Sequence, residues 1–290
     1  MALVCLAGLT ACTNPPPTAP RPTLPATLAP TPAAPPPSTT ASHPDHVVVV
    51  IFENKSYAQI ANDPRAGYLH SLMNSAALFT NAHAVTHPSQ PNYLALFSGS
   101  TQGVTSDHCP VRLPGRPNLG AQLRDAGFTF TGYSEDLAAP GDTGCGHRGY
   151  AAKHNPWVDF DNLPADVNQP YSAFPTDYAR LPTVAFVVPN LCHDMHDCSI
   201  AAGDQWLRSQ LDPYLSWAYG HNSLLIVTFD EDDGSRTNQI LTLVAGARVR
   251  AGRYPQRITH YTVLATVERL YGLPPLGEAV RAEPIGDLLR

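Results

Sequence analysis

The sequence predicts one α/β domain in which helices flank a mostly parallel central sheet. Three continuous apolar runs, DHVVVVIFEN, LPTVAFVVPN and NSLLIVTFDEDDG, are each typical of a strand buried on both faces of such a sheet. Helical stretches lie between these runs, and the alternation of strand and helix favours a parallel sheet. The chain has no internal repeat, and 43% of its 290 residues are hydrophobic, which is enough for one large core.

The remaining elements follow the same alternation along the chain. Two further strands are predicted in GFTFTGYSED and QILTLVAGA. Five helices are predicted in AGYLHSLMNSAAL, QPNYLALFSG, NLGAQLRDAG, AGDQWLRSQLDPYLSWAYG and YTVLATVERLYG. Ligands of open α/β sheets bind beyond the carboxyl ends of the strands. The polar residues that follow the predicted strands are therefore the first candidates for a functional site.

The N-terminal residues MALVCLAGLTACTN predict an export signal. Small residues ahead of Cys12 resemble the lipobox of bacterial lipoproteins, so residues 1–12 are expected to be a signal segment with Cys12 as the lipidation site. An ordinary cleaved secretory signal is the alternative. Residues 13–44 are rich in Pro, Thr, Ala and Ser and predict a disordered tether. The folded domain is expected to span residues 45–290 of an exported protein, either a cell-envelope lipoprotein or a secreted one.

The overall charge restricts the partners of the domain. A formal net charge of −6 gives no broad basic surface, so no nucleic acid partner is expected. No apolar stretch reaches the roughly 18 residues that a membrane-spanning helix needs. Contact with a membrane is therefore expected only through the N-terminal lipid anchor.

Four cysteines beyond the signal segment predict two disulfides, because an even number in an exported protein usually forms a disulfide framework. Three pairings are possible. Short separations along the chain favour Cys109–Cys145 and Cys192–Cys198. A zinc site in CHDMHDC is the alternative, although its spacing does not match the usual zinc-finger patterns.

Carboxylate and amide side chains follow two of the predicted strands. Glu53 and Asn54 end the first strand, and Asp230 and Glu231 end a later one. Like charges brought to one edge of a sheet repel each other unless they are protonated or share a cation. Oxygen ligands suit a single hard divalent cation of the calcium or magnesium type. These four residues are the candidate metal ligands, and solvated acidic turns are the alternative interpretation.

The stretch THPSQPNYLALFSG joins hydroxyl groups to the start of a predicted helix. Pro91 suits the first turn of the helix and Ser89 lies near its N-cap, so helix capping alone would explain both. The N-terminus of a helix also favours an anion such as phosphate, and a serine held beside a metal can attack phosphorus. Ser89 is the candidate nucleophile. Thr86 is the competing hydroxyl, and His87 is expected only to shape the turn.

Basic side chains elsewhere supply further candidates. The segment CHDMHDC contains His193 and His196, and KHNPW contains Lys153 and His154. His260 lies directly before the last predicted helix, where it could contact an anion. A structural histidine or an exposed loop is the ordinary alternative at each of these positions.

Taken in order, these motifs resemble a known family. They are similar to the motifs of the phosphoesterases of the phospholipase C and acid phosphatase type, a branch of the alkaline phosphatase superfamily. The matching motifs are, in order, a strand ending in EN, HPSQPNY, KHNP, PN followed by DMH, TFDEDDG and a late HY. The resemblance covers about residues 46–285 and is greatest to the secreted acid phosphatases of mycobacterial type. It implies an alkaline-phosphatase-like fold and an acid phosphatase, a hydrolase of phosphate monoesters with broad specificity.

The resemblance also implies a role for each matching residue. Ser89 would be the nucleophile that forms a phosphoserine, and Asn92 would hold the phosphoryl oxygens. The metal ligands would be Glu53, Asn54, Asp230 and Glu231. The histidines that contact phosphate or donate a proton would be His196 and His260. The substrate pocket would include Lys153, His154 and His193. Two-metal relatives carry Asp-His where this chain has Asp-Glu, which favours a single hard cation.

Phosphorylated small molecules or phospholipid head groups, phosphoinositides among them, are the expected substrates. A phospholipase C or another phosphodiesterase on the same fold is the nearest alternative. A non-catalytic, metal-binding surface lipoprotein is the alternative of a different class.

Overall fold

The computed structural model describes residues 43–286, and an eight-stranded sheet lies at its centre. The strands are β1 (His46–Phe52), β2 (Ala77–His83), β3 (Phe130–Ser134), β4 (Gly146–His147), β5 (Tyr150–Ala151), β6 (Asn168–Pro170), β7 (Val184–Val188), β8 (Ser223–Phe229), β9 (Gln239–Gly246) and β10 (Gly252–Ile258). The α-helices are α1 (Tyr57–Asn62), α2 (Gly67–Ser75), α3 (Ser89–Ser98), α4 (Leu119–Asp125), α5 (Ile200–Ala218) and α6 (His260–Leu270). The predicted signal segment with Cys12, and residues 13–42 of the predicted tether, lie outside the described residues.

The strands of the sheet are arranged in the order β10-β2-β9-β8-β1-β7-β3-β6. Strands β8, β1, β7, β3 and β6 pair in parallel, and so do β10 and β2. Within the described sheet, β9 alone runs antiparallel to its neighbours. Strands β4 and β5 form a separate antiparallel hairpin. The predicted α/β domain with a mostly parallel central sheet is therefore confirmed.

Five of the eight strands in the central sheet are the five that the sequence predicts; β2, β6 and β10 are additional, as is the β4–β5 hairpin. The predicted helix AGYLHSLMNSAAL was too long. Helix α2 ends at Ser75, Ala76 is extended, and Ala77 begins β2, which is inserted between β9 and β10. Pairing with two neighbouring strands and full burial of Ala77 therefore override the helical pattern of this segment.

The parallel strands bring four separate chain segments to one edge of the sheet. The side chains of β1 from Val47 to Phe52 are almost fully buried, as expected for a central strand. Because β8, β1, β7 and β3 are adjacent and parallel, the residues that follow them meet beyond their carboxyl ends. This edge collects Glu53 after β1, Asp230 after β8 and Asp194 after β7.

Helix α3 is buried along its whole length and is fixed at its C-terminal end. Gly99 ends the helix with φ of 69°, and a Cβ at this position would lie 2.1 Å from the carbonyl oxygen of Leu276. The carbonyl of Gly99 in turn accepts a hydrogen bond from the N–H of Glu278 at 2.7 Å. Only glycine permits this backbone-to-backbone contact, which holds the helix that carries Ser89 at its first position.

Two disulfides join the four cysteines of the domain. Cys109 is bonded to Cys145, and Cys192 is bonded to Cys198, with Cα separations of 5.6 and 4.6 Å. The predicted pairing is confirmed, and the alternative zinc site in CHDMHDC is wrong, because both thiols of that segment are consumed.

Among the described helices, none combines the length and apolar character needed to cross a bilayer.

A buried carboxyl group on α6 couples stability to pH. Glu268 Oε1 accepts a hydrogen bond from the N–H of Leu276 at 2.8 Å, whereas Oε2 has no partner in residues 43–286. Burial raises the pKa of Glu268 from 4.5 to about 8. Because the folded state holds the proton more tightly than the unfolded chain, the free energy of unfolding falls as pH rises between these two values.

We therefore expect Glu268→Gln to raise the free energy of unfolding at pH 8 by on the order of 1 kcal/mol, and to change it little at pH 4. Thermal or urea unfolding at the two pH values measures the difference. The exposed Glu278→Gln is the matched control and should show no such pH-dependent gain. Equal effects of the two substitutions would contradict the expectation.

Candidate active site

The hydroxyl of Ser89 lies among carboxylates. Pro88 is the N-cap of α3 and Ser89 is its first residue, so the side chain of Ser89 is free of the capping role. Its Oγ is 3.0 Å from Glu53 Oε2 and 3.1 Å from Glu231 Oε1, and it is almost fully buried. The competing hydroxyl of Thr86 instead donates to the carbonyl of His87 at 3.1 Å. Of the two hydroxyls, that of Ser89 is the one that contacts the carboxylates after β1 and β8.

The surrounding carboxylates repel one another in a buried place. Burial first, and then the charges of Asp230 and Asp194, raise the pKa of Glu53 well above its usual value. Burial and the charge of Glu231 do the same to the pKa of Asp230. Asp230 Oδ2 has no hydrogen-bond partner within the described part of the chain. A buried, incompletely bonded set of oxygen atoms fits a divalent cation, which would offset the repulsion.

Asn54 stands beside this set in a conformation that few non-glycine residues adopt. Its φ is 52°, and its N–H lies 3.2 Å from Asp230 Oδ1. It lines an open cavity of about 550 Å³ together with His87 and Glu231. The structure therefore brings all four predicted metal ligands and the predicted nucleophile to one place, and their roles stay predictions.

A second group of possible ligands shares Glu53. Ligand atoms of Glu53, His154 and Asp194 lie within 4.8 Å of one another, and all three residues are buried. Burial first, and then Lys153, lower the pKa of His154, which favours the neutral imidazole that binds metals. His154 Nε2 lies 3.1 Å from Glu53 Oε1 and His154 Nδ1 lies 3.4 Å from Asp194 Oδ2, but neither contact has hydrogen-bond geometry. Asp194 was not selected from the sequence, although it lies in the DMH motif.

Tyr93 is a further residue that the sequence reasoning missed. It lies one helical turn after Ser89, and its hydroxyl donates to Glu53 Oε1 at 2.5 Å. Its ring stacks on that of His154, with centroids 5.0 Å apart. The spacing of four residues in SQPNY, which places both side chains on one face of the helix, was the available signal.

His87 does more than shape the turn, so that expectation was wrong. Its Nδ1 contacts the Glu231 carboxylate, and its Nε2 lies 3.1 Å from the carbonyl oxygen of Ser235. Burial opposes the charged imidazole, but the Ser235 carbonyl and the carboxylates of Glu231 and Asp232 outweigh it and raise the pKa of His87. When it is protonated, His87 balances one carboxylate at the rim of the cavity.

The amide of Asn92 is used by the turn. Its Oδ1 accepts hydrogen bonds from the N–H groups of Val85 and Thr86, both at 3.0 Å. Its Nδ2 donates to the carbonyls of Thr86 and Pro88, at 2.8 and 3.1 Å. With oxygen and nitrogen both occupied, these contacts do not support the predicted contact of Asn92 with phosphoryl oxygens. The residue instead shapes the turn that presents Ser89.

His260 lies beneath the strand ends rather than among the carboxylates. Its Nε2 donates to the carbonyl of Phe229 at 3.0 Å, and its side chain is buried. Burial lowers the pKa of His260 to about 4. A buried neutral imidazole is a poor proton donor, so the geometry does not support the predicted catalytic role.

The other predicted histidines lie on the loop after β7. His196 Nδ1 contacts Asp197 Oδ1 at 2.7 Å, and its ring lies 6.0 Å from that of His154, beside the buried group. His193 points the other way and pairs with Glu135 at 2.8 Å. The structure therefore places His196, but not His193, near the group formed by Glu53, His154 and Asp194.

Lys153 is linked to the start of α3 through Asp107. Its Nζ donates to Asp107 Oδ2 at 2.8 Å, and Asp107 Oδ1 accepts the N–H of Gln90 at 2.9 Å. Lys153 is thus held beside helix α3, where its positive charge partly offsets the charge of Glu53.

Comparison with solved structures shows that the fold is similar to that of a protein in the alkaline phosphatase superfamily. A protein of that superfamily from Vibrio parahaemolyticus superposes with a TM-score of 0.58 at 12% sequence identity, over 85% of this chain and 72% of the other. The periplasmic domain of EptC from Escherichia coli, in a complex with zinc, gives a TM-score of 0.55 at 10% identity, over 81% and 84% of the two chains.

Sequence comparison defines the family more narrowly. Residues 63–274 match the model of the phosphoesterase family. The chain is 52% identical over 245 residues to the phosphatidylinositol-3-phosphatase of Mycobacterium tuberculosis, covering 84% of this chain and 82% of the relative. It is 34% identical to an acid phosphatase of Aspergillus fumigatus, over 79% of this chain but about half, 55%, of that longer protein. The chain belongs to the phosphoesterase family, and the prediction that it is a phosphatase enzyme is confirmed.

The hydrogen bond from Tyr93 to Glu53 gives a test of the candidate metal site. We expect Tyr93→Phe to weaken the affinity for a divalent cation by about 10-fold to 100-fold, because Glu53 loses the donor that orients it. Calorimetric titration with calcium and magnesium measures this. Tyr254→Phe also loses one hydroxyl hydrogen bond, to the carbonyl of Arg250 far along the sheet, and serves as the control. Equal affinity of both variants and the wild type would show that Tyr93 does not support a cation.

Proposed function

We propose that this phosphoesterase hydrolyses phosphate monoesters with the help of one hard divalent cation and through a phosphoserine intermediate. The observation that carries the proposal is the buried Ser89 hydroxyl at the first position of α3, within hydrogen-bond distance of Glu53 and Glu231. A serine hydroxyl has no other evident reason to lie among carboxylates, because it caps no helix there.

Glu53, Asn54, Asp230 and Glu231 would hold the cation, since oxygen ligands suit calcium or magnesium. When bound, such a cation makes a hydroxyl more acidic and stabilises negative charge on phosphoryl oxygens. The unpartnered Asp230 Oδ2 and the raised pKa values of Glu53 and Asp230 support this assignment.

The protein's own residues supply the remaining chemistry. The Ser89 oxygen attacks phosphorus in line, and its proton passes to one of the two carboxylates that it already contacts. Gln90 uses its N–H on Asp107 and Pro91 has none, which leaves the N–H of Ser89 to face the phosphoryl oxygens at the helix start. His196, on the exposed side of the buried group, is the proposed proton donor to the leaving oxygen. Water then hydrolyses the phosphoserine and restores the hydroxyl.

The natural substrates are proposed from the relatives. The name of the Mycobacterium tuberculosis relative supports phosphoinositides as substrates of this chain too, alongside other phosphorylated small molecules. Two disulfides support an exported protein, because such bonds persist in oxidising compartments. Attachment to a membrane through a lipid on Cys12 completes the proposal.

The nucleophile and the cation can be tested together. We expect Ser89→Ala to lower phosphatase activity on p-nitrophenyl phosphate by at least about a thousandfold, because the variant lacks the hydroxyl that would attack phosphorus. Chelation should inactivate the wild type, and added calcium or magnesium should restore it, whereas Ser89→Ala should stay inactive. Thr86→Ala is the matched control and should keep its activity. Full activity of Ser89→Ala, or of the chelated wild type, would overturn the mechanism.

The choice between monoesters and diesters needs a separate assay. We expect kcat/KM for p-nitrophenyl phosphate to exceed that for bis(p-nitrophenyl) phosphate by about a hundredfold or more. The reason is that Ser89 and the carboxylates around it are buried, which disfavours a phosphate that carries two bulky groups. Side-by-side turnover by the same preparation measures the ratio. A preference for the diester would favour a phospholipase C or another phosphodiesterase.

A further inference from the structure

A second cavity lies at the same edge of the sheet, beside the end of β3. Its volume is about 450 Å³, within the range of pockets that bind small molecules. We call it the Glu135 pocket; its walls include Glu135, Asp136, His147, Arg148, Pro170 and Tyr171. It shares no lining residue with the cavity beside Glu231.

The acidic wall of the Glu135 pocket is held in place. The N–H of Asn190 donates to Glu135 Oε2 at 3.0 Å, and its side-chain amide donates to Asp136 Oδ2 at 2.9 Å. His193 Nδ1 lies 2.8 Å from the same Glu135 oxygen. Asp136 adopts a φ of 61°, a conformation that a non-glycine residue keeps only when its surroundings enforce it. The two carboxylates are therefore oriented in advance, with acceptor capacity left for a ligand.

Two further lining residues, Arg148 and Tyr171, offer a hydrogen-bond donor and an aromatic face. Arg148 lies at the tip of the β4–β5 hairpin, is exposed, and finds no acceptor for its side chain among the residues that the structure describes. The ring of Tyr171 stacks on Phe174 with centroids 5.3 Å apart and packs against Trp206 at 5.3 Å. The pocket thus combines a guanidinium with a packed aromatic face.

One loop connects this pocket to the site around Ser89. Asn190, which holds the acidic wall, and Asp194, which belongs to the group with Glu53, both follow β7 and are separated by three residues. Strand β7 lies between β1 and β3, so the two sites are about two strand spacings, roughly 10 Å, apart along the edge. A phosphorylated ring with one further substituent can bridge this distance.

The chemistry of the walls selects the ligand. Ionised carboxylates only accept hydrogen bonds and a guanidinium only donates them, whereas a hydroxyl group does both. A ring that carries several hydroxyls can therefore satisfy Glu135, Asp136 and Arg148 together. A second phosphate group would instead be repelled by the two carboxylates.

We propose that the Glu135 pocket binds the polyhydroxylated ring of the leaving group, a cyclitol or sugar whose phosphate is attacked by Ser89. The inference rests on the proposed function and adds to it the pocket and the residues that would select the ring of the leaving group.

Two variants test the pocket without touching the carboxylates around Ser89. Arg148→Asn removes the guanidinium, and Asp136→Asn removes a charge; both replacements suit the left-handed backbone at these positions. We expect kcat/KM for myo-inositol 3-phosphate to fall about tenfold in each variant, because a charged hydrogen-bond partner is lost. For p-nitrophenyl phosphate, whose leaving group offers no further hydroxyl groups on its ring, kcat/KM of each variant should stay within about twofold of the wild-type value. Arg180→Asn, an exposed arginine outside the pocket, is the control and should change neither value.

The outcomes distinguish failure of the pocket assignment from failure of the proposed function. Equal losses on both substrates, or no loss on either, would overturn the pocket assignment. Failure of the wild type to hydrolyse p-nitrophenyl phosphate would instead overturn the proposed function. Binding of free myo-inositol, followed by saturation-transfer NMR, needs no catalysis; it should be seen with the wild type and weaken in Arg148→Asn, and its absence from the wild type would overturn the inference.

A third arm distinguishes a soluble ligand from a lipid head group. Vesicles that contain phosphatidylinositol 3-phosphate present the same ring at a membrane surface. A similar loss on vesicles and on soluble myo-inositol 3-phosphate would show recognition of the ring itself, as proposed. A loss on vesicles alone would assign the effect to membrane contact and contradict the pocket.

Discussion

The contact between the Ser89 hydroxyl and the Glu53 carboxylate joins the two elements on which the site depends. Glu53 is fixed because the side chains of β1 from Val47 to Phe52 are almost fully buried and the strand pairs with β7 on one side and β8 on the other. Ser89 is fixed by the amide of Asn92, which ties the turn, and by Gly99 at the far end of α3. The other acidic groups gather around this contact because their strands are parallel neighbours of β1.

The site concentrates negative charge where solvent cannot reach it. Glu53, Asp194 and Asp230 all have a raised pKa, with burial as the largest cause. Such an arrangement destabilises the folded protein by itself, and buried charged groups of this kind are retained at functional sites. The buried apolar strands that carry these groups at their ends supply the compensating stability.

The central strands and most of the candidate site follow from the sequence, because a parallel sheet carries a strong pattern and sends its polar ends to one edge. Strand β2 was missed because its start continues a helical pattern, and β10, GRYPQRI, because an edge strand needs few apolar residues. Tyr93 and His87 were missed because their importance lies in partners far along the chain. The amide of Asn92 is occupied by local backbone groups, and this cannot be known before the turn is built.

The packing of Gly99 against Leu276 has a consequence for turnover. With no side chain between the two backbones, the end of α3 has no room to slide or tilt, and its buried flanks prevent rotation. Ser89, the proposed nucleophile, is therefore held in a fixed position by the fold. Any motion that admits a substrate or releases phosphate must occur in the loops beyond the strand ends, where the segment from Glu231 to Gly234 and the hairpin tip at Arg148 border open space.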